Sequence, residues 1–426
     1  MEVSESDGTS PLPVLSGEIQ IQNDTITYVG DSKNAPAANW HREIDAQGNL
    51  LMPGFKNAHT HSAMTFLRSY ADDLPLQEWL YNQVFPMEAK LTPEDVYWCS
   101  RLAILEYLTS GITANFDMYM KNESNAKASV DSGFRTVICG SINDFGGTVE
   151  EMEAEYLHFN DYHPLISYQL GFHAEYTTKL AILEGMASLA QKYKAPVYAH
   201  NSETVSEVAG CIERYQMTPT VFLDSLGMFA YGGGGFHCVH MTDQDLELCR
   251  DKNIWVVTNP SSNTKLASGI APLCKMLDMG IGLAIGTDGA ASNNCLDMFR
   301  EMFLATALQK VSIPDAAAMD ANEVLKMATL GGSGAMCLPH CDTLTAGKQA
   351  DIIMVDLHQP NMQPLNDITK NIVYSGSKQN IKMTMIAGKI LYENGHFDVG
   401  VEPKEIYAKA NESITRMKKE NSGSIR

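Results

Sequence analysis

From about residue 51 to residue 340, short apolar stretches that end in polar residues alternate with longer stretches of helical periodicity. The short stretches are LMPGFKNAHTH, ITANFD, RTVICGS, ISYQLGFH, PVYAHN, GGFHCVHM, IWVVTNP and GLAIGTD. Between and after them run TPEDVYWCSRLAILEYLTSG, KLAILEGMASLAQKYK, DQDLELCRDKN, IAPLCKMLDMG and ANEVLKMATLGGSGAM. Strands that alternate with helices pair in parallel through helical crossovers. Eight such units over roughly 290 residues predict an α/β chain folded as a (β/α)8 TIM barrel.

The flanks read differently. SGEIQIQNDTITYVGD alternates apolar and polar residues about Asn23-Asp24, which predicts a β-hairpin. After Gly347 strand-like segments return as ADIIMVD, NIVYSG and IKMTMIAGKILYENG. A small β-sandwich domain built from residues 1–50 and 345–426 is therefore expected beside a catalytic barrel over residues 51–344. The last stretch, YAKANESITRMKKENSGSIR, reads as a polar helix fraying into a tail.

Charge narrows the partners. With 31 basic and 51 acidic residues the net charge is −20, which argues against nucleic acid, whose phosphate backbone needs Lys and Arg clusters. A nucleoside carries no phosphate and is not excluded. No apolar run is long enough for a membrane span, and MEVSESDGTSPLPVL lacks the basic start and apolar middle of a signal peptide. A cytoplasmic protein with no membrane partner is the expectation. The nine cysteines form no CxxC and read as buried thiols in a reducing compartment.

Barrel enzymes carry their chemistry at the C-terminal ends of strands. Strand one ends in His59 and His61, strand four in His173, and strand five in His200 with Glu203 three residues on. Strand six carries His237 and His240, and strand eight ends in Asp288. In contrast, His41, His158, His163, His340, His358 and His396 fall in loops or outer segments. Residues i and i+2 of a strand share a face, so His59 and His61 can aim at one point while Thr60 turns away. Three imidazoles and a carboxylate suit one divalent metal ion, with a position left for water. Zn is the best fit, and Fe, Mn or Ni suit the same donors. Asp288, in AIGTDGAASNN, reads as ligand or proton acceptor, or alternatively as a cap for the following helix. Glu203 can reach a metal-bound water as general acid and base, or alternatively serve in a capping box. His237 should face the barrel axis, and His240, three residues on, should be structural.

MPGFKNAHTHSAMTFLRSYADDLPLQEWLY, HNSET, FHCVH, NPSSNTKLASGIAP and GTDGAASNN together resemble the amidohydrolase superfamily. Within it they look most like the 5′-methylthioadenosine/S-adenosylhomocysteine deaminases and related chlorohydrolases. The resemblance implies a mononuclear centre on His59, His61, His200 and Asp288. The lysine that bridges two metals in binuclear relatives is absent from LGFHAEYT. It further implies Glu203 as proton shuttle and His237 as the group that polarises the attacking hydroxide or holds the tetrahedral intermediate. Glu78 and Trp79 in LQEWL, and His173, would contact substrate, with Glu78 on the ribose hydroxyls. The implied reaction removes the 6-amino group of an adenine nucleoside as ammonia, in a homo-oligomer such as a dimer or tetramer. The alternative is hydrolysis of a guanine-type, pterin, triazine or cyclic-amide heterocycle. Two departures stand out. Gly140 and Thr148 occupy positions where relatives acting on S-adenosylhomocysteine carry arginine, which argues against that substrate. The polar start also leaves the sandwich one strand short.

Overall fold

The computed structural model describes residues 12–423. Eight strands run in parallel, in chain order, around the barrel: β4 (Phe55–Thr60), β5 (Ile112–Met118), β6 (Arg135–Cys139), β7 (Ile166–Ala174), β8 (Val197–Asn201), β9 (Gly233–His237), β10 (Ile254–Thr258) and β11 (Leu283–Ile285). Each of the eight apolar stretches overlaps one of them. The seam between β11 and β4 is made by individual hydrogen bonds. The Asp288 N–H donates to His59 O at 3.0 Å, and Asn57 and Thr287 exchange two bonds of 2.7 and 2.8 Å. Gly286 makes this approach possible, because a Cβ there would lie 2.7 Å from the His59 backbone.

Helix starts follow ordinary capping chemistry. Thr92, Thr148, Thr204 and Thr242 each close a capping box with the acidic residue three positions on. The barrel interior is filled by Phe116, Tyr198, Phe236, Val137, Val257 and smaller neighbours, so it is a packed core with chemistry on top.

The stretch read as one strand, Leu51 to His61, is two. β3 (Leu50–Pro53) pairs antiparallel with β12 (Ile352–Val355), and β4 enters the barrel. The break falls at Gly54, where a Cβ would sit 2.1 Å from Thr113 Cγ2, so only glycine lets the chain change sheets there. The remaining antiparallel strands are β13 (Ile381–Ile386), β14 (Lys389–Glu393) and β15 (His396–Phe397), giving the order β15-β14-β13-β12-β3. The N-terminal hairpin, β1 (Glu18–Gln22) and β2 (Thr25–Gly30), turns at Asn23 in left-handed backbone. Its Ile26 packs with Leu344 and with Ile352, Met354, Met383 and Met385 of that sheet. The strand expected to be missing before the hairpin falls partly on residues 1–11, outside the described residues. The C-terminal helix is longer than the polar segment suggested, Pro403–Gly423. It lies on helix Pro93–Thr109, where Arg416 pairs with Asp95 and donates to Lys90 O at 3.1 Å. All nine cysteines are free, with Cys337 exposed and the others buried or half-buried.

A buried ion pair joins the lower end of the barrel to the antiparallel sheet. Arg135 Nε and Nη2 donate to Asp351 at 2.8 and 3.0 Å, and Asp351 also accepts the Ala387 N–H at 2.8 Å. Lys56 is fully buried nearby, donating to Gly54 O and Thr113 Oγ1, and burial lowers its pKa. Removing one partner of such a pair leaves a buried charge without compensation. Arg135→Met is expected to cost about 3–5 kcal/mol, read as a lower urea midpoint at unchanged slope. A midpoint within error of wild type would show that Lys56 alone balances Asp351.

Candidate active site

The upper ends of β4, β8, β9 and β11 meet around His59. One nitrogen each from His59, His200 and His237 lie within 4.8 Å of one another, and so do donor atoms of His59, His61 and Asp288. Asp288 Oδ1 is 3.2 Å from His61 Nε2 and 3.6 Å from His59 Nε2. The His59 ring is wholly buried and stacks on Phe236 at 3.8 Å.

Hydrogen bonds behind the rings fix which nitrogen faces inward. A carbonyl can only accept, so His61 Nδ1–H donates to Met118 O and His200 Nδ1–H donates to His173 O at 2.7 Å. His237 Nδ1–H is held by Asn263 Oδ1 at 2.7 Å. In each ring Nε2 is left free for the centre, the usual arrangement for imidazoles that bind metal. His59 has no hydrogen-bond partner on either nitrogen among the described residues, although the ring is buried. A buried polar atom without a partner is costly, and a cation satisfies it. The donor set therefore fits one divalent ion of borderline softness.

Asp288 is braced on its outer side. Ser262 and Ser292 hydroxyls donate to Oδ2 at 2.5 and 2.9 Å, and the Gly289 N–H donates to Oδ1 at 2.8 Å. Burial raises its pKa, but the adjacent His59 and His61 imidazoles outweigh that and hold it well below the usual carboxylate range. Burial, followed by neighbouring imidazoles, drives the His200 pKa well down, which keeps the ring neutral. Glu301 ties together the two loops around Asp288 by accepting from the Ser261 N–H at 2.9 Å and Asn293 Nδ2 at 2.7 Å. Asp288 does not cap the next helix; that helix, Met298–Ser312, is capped by Asp297.

Glu203 is buried, with Oε2 4.0 Å from His237 Nε2 and Oε1 accepting from Ser268 Oγ at 3.1 Å. It takes no part in the adjacent capping box, which Thr204 and Glu207 make. Glu207 accepts N–H bonds from Ser202 at 2.7 Å and Glu203 at 2.8 Å, and so sets the backbone that presents Glu203. The φ angles of Ser202, His237, Cys238 and Asp288 are +52°, +71°, +48° and +58°. Left-handed backbone at residues other than glycine is strained, and such strain collects at functional sites.

The remaining expected residues are placed unevenly. The His173 ring is 4.9 Å from that of His200, with Nδ1 2.8 Å from Thr177 Oγ1. His240 turns away and hydrogen-bonds Ser268 O at 2.7 Å. Glu78 is exposed on a short helix, Leu76–Trp79, and among the described residues it makes no hydrogen bond or ion pair. Trp79 is buried in an apolar cluster with Phe66, Leu80, Val84 and Met87, so its ring supports this segment from beneath. Thr148 caps helix Val149–Phe159. Ser262, Asn263, Ser268 and Ser292 were not singled out from the sequence. The first three lie inside NPSSNTKLASGIAP, whose run of small polar residues after an apolar strand was the available signal.

Comparison with known proteins agrees with this architecture. The amidohydrolase family model matches residues 50–391. The 5-methylthioadenosine/S-adenosylhomocysteine deaminase of Syntrophomonas wolfei is 39% identical over 417 residues, 95% of each chain. That of Moorella thermoacetica is 39% identical over 411 residues, 94% of this chain and 96% of its own. The structure of an adenosine deaminase from Xanthomonas campestris with bound zinc superposes with a TM-score of 0.89 at 34% identity, covering 94% of this chain and 93% of its own. With its barrel, its histidine–aspartate centre and these matches over most of its length, the chain belongs to the amidohydrolase family.

Proposed function

We propose that the protein is a metal-dependent aminohydrolase, acting on carbon–nitrogen bonds other than peptide bonds, that removes the 6-amino group of an adenine nucleoside as ammonia. The substrate is of the 5′-methylthioadenosine, 5′-deoxyadenosine or adenosine type, and S-adenosylhomocysteine is disfavoured because Gly140 and Thr148 stand where arginines are expected. The observation that carries the reading is Glu203, buried and 4.0 Å from His237 at the rim of the histidine–aspartate cluster. His59, His61, His200 and Asp288 would hold the ion, with zinc suiting their three nitrogens and one oxygen best. Such an ion, when bound, supplies Lewis acidity and acidifies a water toward a pKa of about 7.

The protein's own groups do the rest. Glu203 takes the proton released by the nucleophile and delivers it to N1 of the purine as the C6–O bond forms. It then takes the proton of the hydroxyl now on C6 and passes it to the amino nitrogen as the C6–N bond breaks, leaving ammonia and a 6-oxo purine. His237, anchored through Nδ1 on Asn263, presents Nε2 to the oxygen that adds at C6. Asp288, held by two serine hydroxyls and one N–H, keeps its carboxylate aimed at the same place.

A bare heterocycle in the same site is the second reading, and the exposed, unengaged position of Glu78 favours it. The two readings separate on Glu78→Gln. A ribose-binding Glu78 predicts a loss on adenosine of about tenfold or more and no loss on adenine, since a site built to hydrogen-bond a hydroxyl suffers when that bond is removed. Equal losses on nucleoside and base would count against ribose binding.

A further inference from the structure

A carboxyl that moves two protons in sequence works only while it keeps its orientation from one transfer to the next. Resting on the reading of Glu203 as the proton shuttle, we infer that Ser268 is its positioning residue. The Ser268 hydroxyl holds one carboxyl oxygen so that the other stays turned to the reacting atoms, and the His240 imidazole holds Ser268 in place.

The contact singles out one oxygen. Ser268 Oγ donates to Glu203 Oε1 at 3.1 Å, and among the described residues no other group donates to that oxygen. Oε2 is left on the side of His237, 4.0 Å from Nε2. Both residues are buried, so water does not take over the role of the hydroxyl. A carboxylate oxygen and the carbonyl oxygen of a carboxylic acid are both acceptors. The same hydroxyl can therefore donate whether or not Oε2 carries a proton, and the carboxyl does not swing between pickup and delivery.

One short segment, residues 263–268, sets both groups of the proton-transfer side. Asn263 Oδ1 accepts from His237 Nδ1–H at 2.7 Å, and the Ser268 N–H donates to Asn263 O at 2.9 Å. The side chain at one end of the segment fixes His237, and the side chain at the other end fixes Glu203.

His240 explains why the segment stays there. Its Nε2–H donates to Ser268 O at 2.7 Å, and its backbone N–H donates to Ser202 O at 2.9 Å, next to Glu203. Both sides of the Glu203–Ser268 contact thus hang on one residue. Gly269, at a φ of +129°, permits the approach, because a Cβ there would lie 2.8 Å from Val239 Cγ1 and 3.6 Å from His240 Cε1. Ala267, on the other side of Ser268, is held in left-handed backbone at a φ of +54°. Further along, Gln309 Nε2 donates to Ala271 O at 2.8 Å and ties the loop to helix Met298–Ser312.

The test is a double-mutant cycle on the metal-loaded enzyme, with adenosine and 5′-methylthioadenosine as substrates. Ser268→Ala should lower kcat about tenfold, as expected for a displaced catalytic group, with KM within about twofold of wild type and metal content unchanged. In the Glu203→Gln background no shuttle is left to position, so Ser268→Ala should there change kcat less than about twofold. Ser268→Thr keeps the hydroxyl and should recover most of the loss. His240→Ala leaves the hydroxyl but frees its loop, so it should also lower kcat and should also lose its effect in the Glu203→Gln background. Wild-type kcat in Ser268→Ala, losses that multiply in either double variant, or a threonine variant as slow as the alanine one would overturn the positioning role and leave the shuttle intact. Wild-type turnover in Glu203→Gln, or no ammonia from either nucleoside with wild type, would remove the underlying reading and the positioning role with it.

Discussion

Glu203→Gln is expected to keep its metal and lose deamination by about 10²-fold or more. Glutamine keeps the size and the contact with Ser268 Oγ, which now donates to the amide oxygen, so the site should hold its shape. What disappears is the capacity to accept a proton and return it. Glu203 is not among the residues whose donor atoms cluster with His59, so metal content should stay at the wild-type level. The loss should appear in kcat more than in KM, as for an interaction made in the transition state. Wild-type turnover in this variant would sink the shuttle assignment.

His61→Ala is the complementary experiment and should empty the centre. The ring lies 3.2 Å from Asp288 Oδ1, with Nδ1–H locked on Met118 O, so it is set before an ion arrives. Loss of a hydrogen bond behind a metal ligand already weakens affinity about 10–100-fold, and loss of the ligand itself should exceed that. Activity should fall with the metal while the far-ultraviolet circular dichroism stays native, because the barrel core beneath is carried by Phe116, Tyr198 and Phe236. A full metal complement by elemental analysis in His61→Ala would contradict the ligand set.

These expectations rest on features of unequal visibility in the sequence. The barrel was legible because each strand is a short apolar run with a helical stretch behind it, and the pattern repeats eight times. The convergence of His59, His61, His200, His237 and Asp288 was legible for a geometric reason: parallel strands bring their C-terminal ends to one side. The division of the first strand at Gly54 was not. It depends on Thr113 leaving no room for a Cβ at residue 54, and a residue 59 positions away leaves no local signal. The left-handed backbone at Ser202, His237, Cys238 and Asp288 was equally hidden, since none is glycine and the strain is imposed by tertiary bonds such as those from Glu207. The position of Glu78 shows another limit. The chain places it next to the buried Trp79, but does not say how closely that short helix approaches the centre.

The most direct measurement is ammonia release from adenosine, 5′-deoxyadenosine, 5′-methylthioadenosine, S-adenosylhomocysteine, adenine, guanine and a pterin, with metal content determined on the same sample. The account predicts about one divalent ion per chain, as a site with three imidazoles and one carboxylate requires. It also predicts ammonia from the adenine nucleosides and little from the free bases. Ammonia from guanine or the pterin with none from any nucleoside would contradict it, and so would full activity in a sample without metal.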